Sequence, residues 1–257
     1  MDIVIISATA LIASTLTLFS GFGLGTLLMP VVAIFFPIEI AIAITALVHF
    51  ANNIFKILLL GKNANLSVLA KFGLPAILFA IIGAWTLHSL SSLQPLYQYS
   101  INSHHFVVEP IKMVVGIIIL VFVGLELSPR FSTIKLDRKY LPFGGMISGF
   151  FGGLSGHQGA FRSMFLIKAG LDKHQFIATG VAIAVMVDFA RMSIYGWDIA
   201  NQSTQVDWYL VTSAALSAFL GAYVGAKLVK KITIVTIQLA VSALLAVISL
   251  GLIFGLL

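Results

Sequence analysis

The chain of 257 residues contains no cysteine, and only 9% of it is charged. The first absence excludes disulfides, thiolate catalysis and soft-metal thiolate sites. The second excludes an ordinary soluble domain, in which roughly a quarter of the residues carry charge. No hydrophilic stretch exceeds about 20 residues, so no soluble domain is hidden between apolar segments. A GxxxxGK[ST] phosphate-binding loop is also missing, which argues against built-in ATP hydrolysis. The start carries Asp2 and no basic n-region, and reads as part of the fold rather than as a cleaved signal.

What is present is apolar. Hydrophobic residues make up 60% of the chain. They gather in segments at 3–19, 26–36, 38–60, 66–88, 107–127, 141–154, 160–170, 174–195, 207–228 and 233–256. Many are long enough to cross a hydrocarbon core of about 30 Å, so the chain reads as an all-α, polytopic membrane protein. The net charge of +6 is spread over short loops, which fits the inner leaflet of a membrane and not a nucleic-acid surface.

The breaks between segments are informative. SGFGLG (20–25) and GGLSGHQG (152–159) interrupt apolar regions with glycines and no charged spacer. The arms that follow, 26–36 and 160–170, are about 16 Å of helix each, half a membrane. The halves also echo one another. At an offset of 135, Ser20-Gly21 matches Ser155-Gly156, Met29 matches Met164, Asn53 matches Asp188, Lys56 matches Arg191, and Gly61 matches Gly196. After a three-residue shift, GAWTLHSL (83–90) matches GAYVGAKL (221–228). This ordered set suggests duplication.

Charge placement then gives orientation. Lys56, Lys62 and Lys71, then Arg130, Lys135, Arg138 and Lys139, then Lys168 and Lys173, and finally Lys227, Lys230 and Lys231 form the basic clusters. Loops 89–106 and 197–206 hold neither Lys nor Arg. By the positive-inside rule the clusters are cytoplasmic and the two loops external. That parity requires 3–36 and 141–170 each to enter and leave on one side. Each is therefore expected to be a hairpin with a glycine tip. The expected architecture is two inverted-topology repeats in one membrane domain, 1–128 and 129–257. Each repeat holds a hairpin (3–36 or 141–170) and three spanning helices (38–60, 66–88, 107–127 or 174–195, 207–228, 233–256). In such a plan the tips face one another near the midplane, where a substrate binds.

The segments SGFGLGTLLMP (20–30) and AIAITALVHFANNIFK (41–56), with the echo GFFGGLSGHQGAFRSMFLIKAGLDKHQFIATG (149–180), resemble the sulfite exporter TauE/SafE family over essentially the whole chain. The resemblance implies membrane movement of sulfur-containing anions such as sulfite, sulfonates or related organic acids. The second tip departs from a plain glycine run in its HQGAFR (157–162).

The polar residues at the tips divide by chemistry. At the second tip a half-helix N-terminus offers free N–H groups and a positive dipole end. Arg162 adds a planar fork suited to a carboxylate or sulfonate face. Ser155, His157 and Gln158 add neutral donors, beside Gly156 and Gly159. Against this, Arg162 could pair with a carbonyl and the glycines could serve helix contact alone. The first tip supplies Ser20, Gly21, Gly23, Gly25 and Thr26, where Gly21 and Gly25 are also spaced for close packing. His49 falls at the centre of 38–60, with Asn52 and Asn53 beside it. It could bind an anion, couple a proton, or simply bond a helix carbonyl. Asp188 and Arg191 form an i,i+3 pair, for which structural pairing and gating are both open. Lys56 reads as a snorkelling side chain near the inner face. His104 and His105 make two metal ligands without further partners. The sequons at Asn65 and Asn201 carry no assigned meaning.

The leading expectation is thus a secondary transporter of a small anion in the plasma (inner) membrane, without cofactor or metal. Its partners are the bilayer, the substrate anion and a proton or other coupling ion; a homodimer is compatible with it. An anion channel using the same tips as a filter is the alternative. A membrane enzyme would need a metal cluster or paired carboxylates at depth, where only Asp188 stands. A scaffold would not need polar residues at both breaks. Both termini are expected outside. Single cysteines introduced at positions 2 and 257 should react with an impermeant reagent from the same, outer side, and labelling from opposite sides would sink the hairpin argument.

Overall fold

A computed structural model describes residues 2–20, 23–102, 104–128, 130, 134, 136–201, 207–228 and 234–256. The helices are α1 (Asp2–Ser20), α2 (Leu24–Val32), α3 (Ile38–Leu60), α4 (Leu66–Ser91), α5 (Pro110–Leu127), α6 (Leu141–Ser155), α7 (Gly159–Leu166), α8 (Lys173–Asn201), α9 (Trp208–Leu228) and α10 (Ile234–Ile253). Among the described residues, four segments within α3, α4, α8 and α9 are long and apolar enough to cross a membrane, and α1, α5 and α10 contain shorter apolar stretches.

Local chemistry sets these ends. Pro110 and Pro142 occupy first-turn positions of α5 and α6, where a missing N–H costs nothing. Asp172 Oδ1 accepts from the His174 and Gln175 amides at 2.8 and 2.9 Å and caps α8; Asp207 does the same for α9 at 3.0 Å. The Asn65 side chain caps α4 through the Val68 amide at 3.1 Å. Gly156 ends α6 with φ +82°, and its amide donates to the Gly152 carbonyl at 3.0 Å. A side chain is disfavoured in that conformation, so the glycine is required there.

The half-helices are shorter than the apolar run implies. α2 stops at Val32 because Ala33–Phe35 turn tightly before Pro37, and α7 stops at Leu166. The segment between α4 and α5, expected as plain loop, contains an antiparallel hairpin of β1 (Tyr97–Ile101) and β2 (His104–Val108). Tyr99 stacks on Phe106 with ring centroids 5.2 Å apart, and its hydroxyl donates to the Phe254 carbonyl at 2.7 Å. His105 Nδ1 lies 2.7 Å from Ser100 Oγ.

The helices exchange partners across the chain. α1 packs along α9, α4 along α6, α3 against α8, and α5 against α10; α3 also meets α9, and α4 meets α8. Within each hairpin the arms touch, α1 with α2 and α6 with α7. Large apolar side chains point outward, including Leu58, Trp85, Phe189 and Val247, while Ser148, Asn52, Asp188 and Arg191 are buried. That inside-out distribution suits a lipid solvent.

Glycine sets the closest contacts. A Cβ on Gly145, Gly149 or Gly153 of α6 would collide with the Phe72, Ala76 or Ala80 carbonyl of α4, and one on Gly221 of α9 would collide with the Leu11 carbonyl of α1. In lipid, where apolar burial gives helices no driving force, such approach supplies the packing. Gly149→Leu should therefore destabilise by at least the ~1–3 kcal/mol of ordinary overpacking, since backbone cannot step aside as a side chain can. Gly124→Ala, with open space around its Cβ position, is the control. A thermal melt of both purified variants checks this, and equal midpoints would refute it.

Candidate functional site

The two helix breaks come together inside the protein. A Cβ built on Gly25, in the first turn of α2, would stand 3.9 Å from the Gly156 carbonyl oxygen and 3.6 Å from Thr45 Cγ2. One built on Gly23 would stand 3.7 Å from both His49 Nε2 and Thr26 Oγ1. So Gly23, Gly25 and Thr26 of the first tip, Gly156 of the second, and His49 of α3 share one neighbourhood. Ser20 closes α1, and Gly21 lies outside the described residues.

Beside the tips, α3 and α8 cross through one carboxylate. His49 Nδ1 is 2.6 Å from Asp188 Oδ2, and the Asn53 amide donates to the same oxygen at 3.3 Å. Arg191 donates to Oδ1 through Nε at 3.1 Å and pairs with it through NH2 at 2.8 Å. The guanidinium then extends to the second tip. Its NH1 is 3.5 Å from the Gly152 carbonyl and would stand 2.8 Å from a Cβ on Gly156. Asp188 and Arg191 thus pair as their spacing suggested. His49 is bonded to a carboxylate and not to a helix carbonyl. No local pattern signals that bond, because 139 residues separate its partners.

The second tip mixes committed and uncommitted groups. Ser155 Oγ donates to the Phe151 carbonyl at 3.2 Å, so its proton is used within α6. Ser148 Oγ donates to the Gln158 carbonyl at 3.1 Å, and Tyr195 bonds the Gly153 carbonyl. His157 Nδ1 lies 3.0 Å from the Ser155 carbonyl, and its ring rests 5.5 Å from that of Phe122. His157 Nε2, both polar atoms of the Gln158 amide, Arg162 NH1 and Thr45 Oγ1 are buried without a partner. Gly159 begins α7, and no side chain caps that end. Arg162 lies one turn on, and a Cβ on Gly180 of α8 would stand 3.5 Å from its Nε.

Lys56 corrects the expectation of snorkelling. It is buried, and Asn52, with its amide oxygen turned toward the ammonium, accepts from Nζ at 3.1 Å while its nitrogen donates to the Ala218 carbonyl at 3.2 Å. Lys56 is 5% exposed, and its helix packs on α9. Among the described residues there is no group of three or more His, Asp or Glu side chains disposed to hold a metal ion.

Apolar helices with an outward apolar face and a buried, charged centre define an integral, multi-pass membrane protein. The family model described as Sulfite exporter TauE/SafE matches residues 6–252, nearly the whole chain, and the chain belongs to that family. Its members are membrane transporters rather than enzymes, which associates this protein with sulfite and related anions. No curated protein and no solved structure matches the chain.

The carboxylate network has a measurable signature. Asp188→Asn leaves Arg191 as an uncompensated buried charge and should cost about 3–5 kcal/mol. Adding Arg191→Met should recover part of that loss, because the orphaned cation is removed with it. Thermal or denaturant stability of the two single variants and the double variant closes the cycle; strict additivity would show the pair is not coupled.

Proposed function

We propose that this protein is a secondary transporter that moves a small sulfur-containing anion across the plasma membrane, bound between the two hairpin tips. One observation carries the reading: both helix breaks meet at a buried polar cluster in which several donors have no protein partner. The first turns of α2 and α7 offer backbone N–H groups that no helix can use internally. Thr26 belongs to the first break and His157, Gln158 and Arg162 to the second, and an oxyanion held between the breaks would offer acceptors to donors from both. His49, Asp188 and Arg191 form the adjoining network through which a proton or other coupling ion would act.

We read the architecture as two inverted repeats, 1–128 and 129–257, with both termini outside. The exchange of partners supports this. If α1 to α5 correspond in order to α6 to α10, the contact of α1 with α9 becomes that of α6 with α4. By the same rule α3 with α9 becomes α8 with α4, while α3 with α8 and α5 with α10 map onto themselves. A two-fold relation between the halves accounts for all of these together, as inverted transporters require.

The test is flux in liposomes holding the purified protein. Saturable uptake of sulfite or thiosulfate, stimulated by the same anion on the far side, is expected; unsaturable conductance would make the protein a channel. Arg162→Gln should lower affinity roughly tenfold or more, the scale of one charge-assisted hydrogen bond, while the protein stays folded. Arg162→Lys should restore only part of it, because it keeps charge and loses the planar fork. Unaltered affinity in folded Arg162→Gln would return the residue to a packing role.

A further inference from the structure

His49 is where the carboxylate network meets the first break, and its two ring nitrogens face different chemistry. Nδ1 is 2.6 Å from Asp188 Oδ2. A Cβ built on Gly23, the residue before α2, would stand 3.7 Å from Nε2. Asp188 is placed as an ionised acceptor, since Arg191 donates to Oδ1 from Nε and Asn53 donates to Oδ2. The hydrogen between Asp188 and His49 therefore belongs to Nδ1, and a neutral ring keeps a bare lone pair at Nε2. The Asn53 nitrogen does not cover that lone pair. It lies 3.2 Å from both ring nitrogens, and a point equidistant from the two is on the lone-pair axis of neither.

A lone pair there is at odds with an anion. α2 directs its free first-turn amides toward the same break. Thr26 Oγ1 stands 3.7 Å from the same Cβ position, and Thr45, one turn before His49 on α3, has a buried Oγ1 without a partner. An oxyanion suits these donors and is repelled by Nε2 until that nitrogen is protonated. The charges agree. Asp188 and Arg191 compensate each other, so an imidazolium at position 49 is a surplus charge alone and a balanced one beside an anion. Among the described side chains, the charged groups within reach of the ring are Asp188 and Arg191 of α8 and Lys56 of α3. The two cations oppose an uncompensated imidazolium, and no second carboxylate answers them. α2 has no titratable residue, and Tyr209 and Tyr223 of α9 are exposed.

We propose that His49 Nε2 is the coupling-proton site of the transporter, so that each anion enters with one proton, and that Asp188 is the positioning residue that fixes the ring for it. The proposal rests on the anion-transport reading of the two breaks and names its coupling ion. A proton from solution forms the N–H bond at Nε2, and the imidazolium donates that hydrogen to an oxygen of the anion. The anion and the proton leave together on the far side, and the ring returns to its neutral form with Nδ1 still bonded to Asp188.

The test uses the full chain in detergent and thiosulfate, an anion that takes no proton itself near neutrality. Calorimetric titration in two buffers of different ionisation enthalpy counts the protons taken up per anion bound. In the native chain the count should approach one within roughly pH 5.5–7.5, around the ordinary histidine value of about 6.5. By linkage, affinity should then rise as pH falls, up to about tenfold per pH unit where uptake is complete. In His49→Asn the amide nitrogen takes the place of Nδ1, so the bond to Asp188 stays and the proton site goes. The count should fall to zero, and affinity should cease to follow pH. His49→Gln, which keeps polarity at the Nε2 position instead, serves if that variant fails to fold. Thiosulfate binding without proton uptake in the native chain, or uptake that persists in either folded variant, overturns the proton site and leaves anion transport standing. Absence of both binding and flux overturns the transport reading itself, and this proposal with it.

Discussion

The Asp188 carboxylate is the tie on which the interior depends. It receives His49 and Asn53 from α3 and Arg191 from its own helix, so one anion joins the long helices of the two halves. The network does not end there. Arg191 reaches the Gly152 carbonyl and stands against Gly156, while His49 Nε2 faces Gly23. Both helix breaks are therefore braced by the same group of charges. Broken backbone buried away from water survives only where protein groups or a polar cavity replace it, and this cluster supplies such an environment. Remove the carboxylate and the cation that supports the second tip becomes a buried liability.

Around that tie the packing is done by absence of side chains. α6 lies on α4 through Gly145, Gly149 and Gly153, and α9 lies on α1 through Gly221 and Gly225. In each case a helix from a hairpin is fastened to a helix from the other half of the chain. Neither half can bury its polar centre alone, because the cover for each comes from the other. The outer surface, with Leu58, Trp85 and Phe189, needs no such fit, since lipid conforms to it.

Much of this was legible in sequence because the membrane writes in lengths. α3 spans 38–60 as its apolar run does, and α4, α6 and α9 begin or end within a few residues of their runs. Asp188 and Arg191 were legible as a pair from spacing alone. Other features were not. α2 and α7 are shorter than their apolar segments because hydrophobicity continues through the turns that end them. The β1–β2 hairpin was hidden because short polar and aromatic runs there resemble loop. The bond of His49 to Asp188 joins distant residues, and Lys56 looks from sequence like any basic residue near a helix end. Only the folded chain reveals it as buried.

The buried polar groups sort themselves by whether the fold satisfies them. Ser148, Ser155, Tyr195 and Asp188 are bonded within the protein, and their work is to hold backbone and charge in place. Thr45, His157, Gln158 and Arg162 each keep a buried polar atom without a protein partner. Ser242 Oγ on α10 is another such atom, but those four gather at the breaks. His157, Gln158 and Arg162 belong to the second break, and Thr45 touches the position of Gly25 at the first. An unpaired polar atom away from water costs more than a hydrogen bond returns, and a helix bundle could avoid it with apolar side chains at these positions. Most of that expense falls where two helix ends meet, the place at which the proposed anion would supply the missing partners.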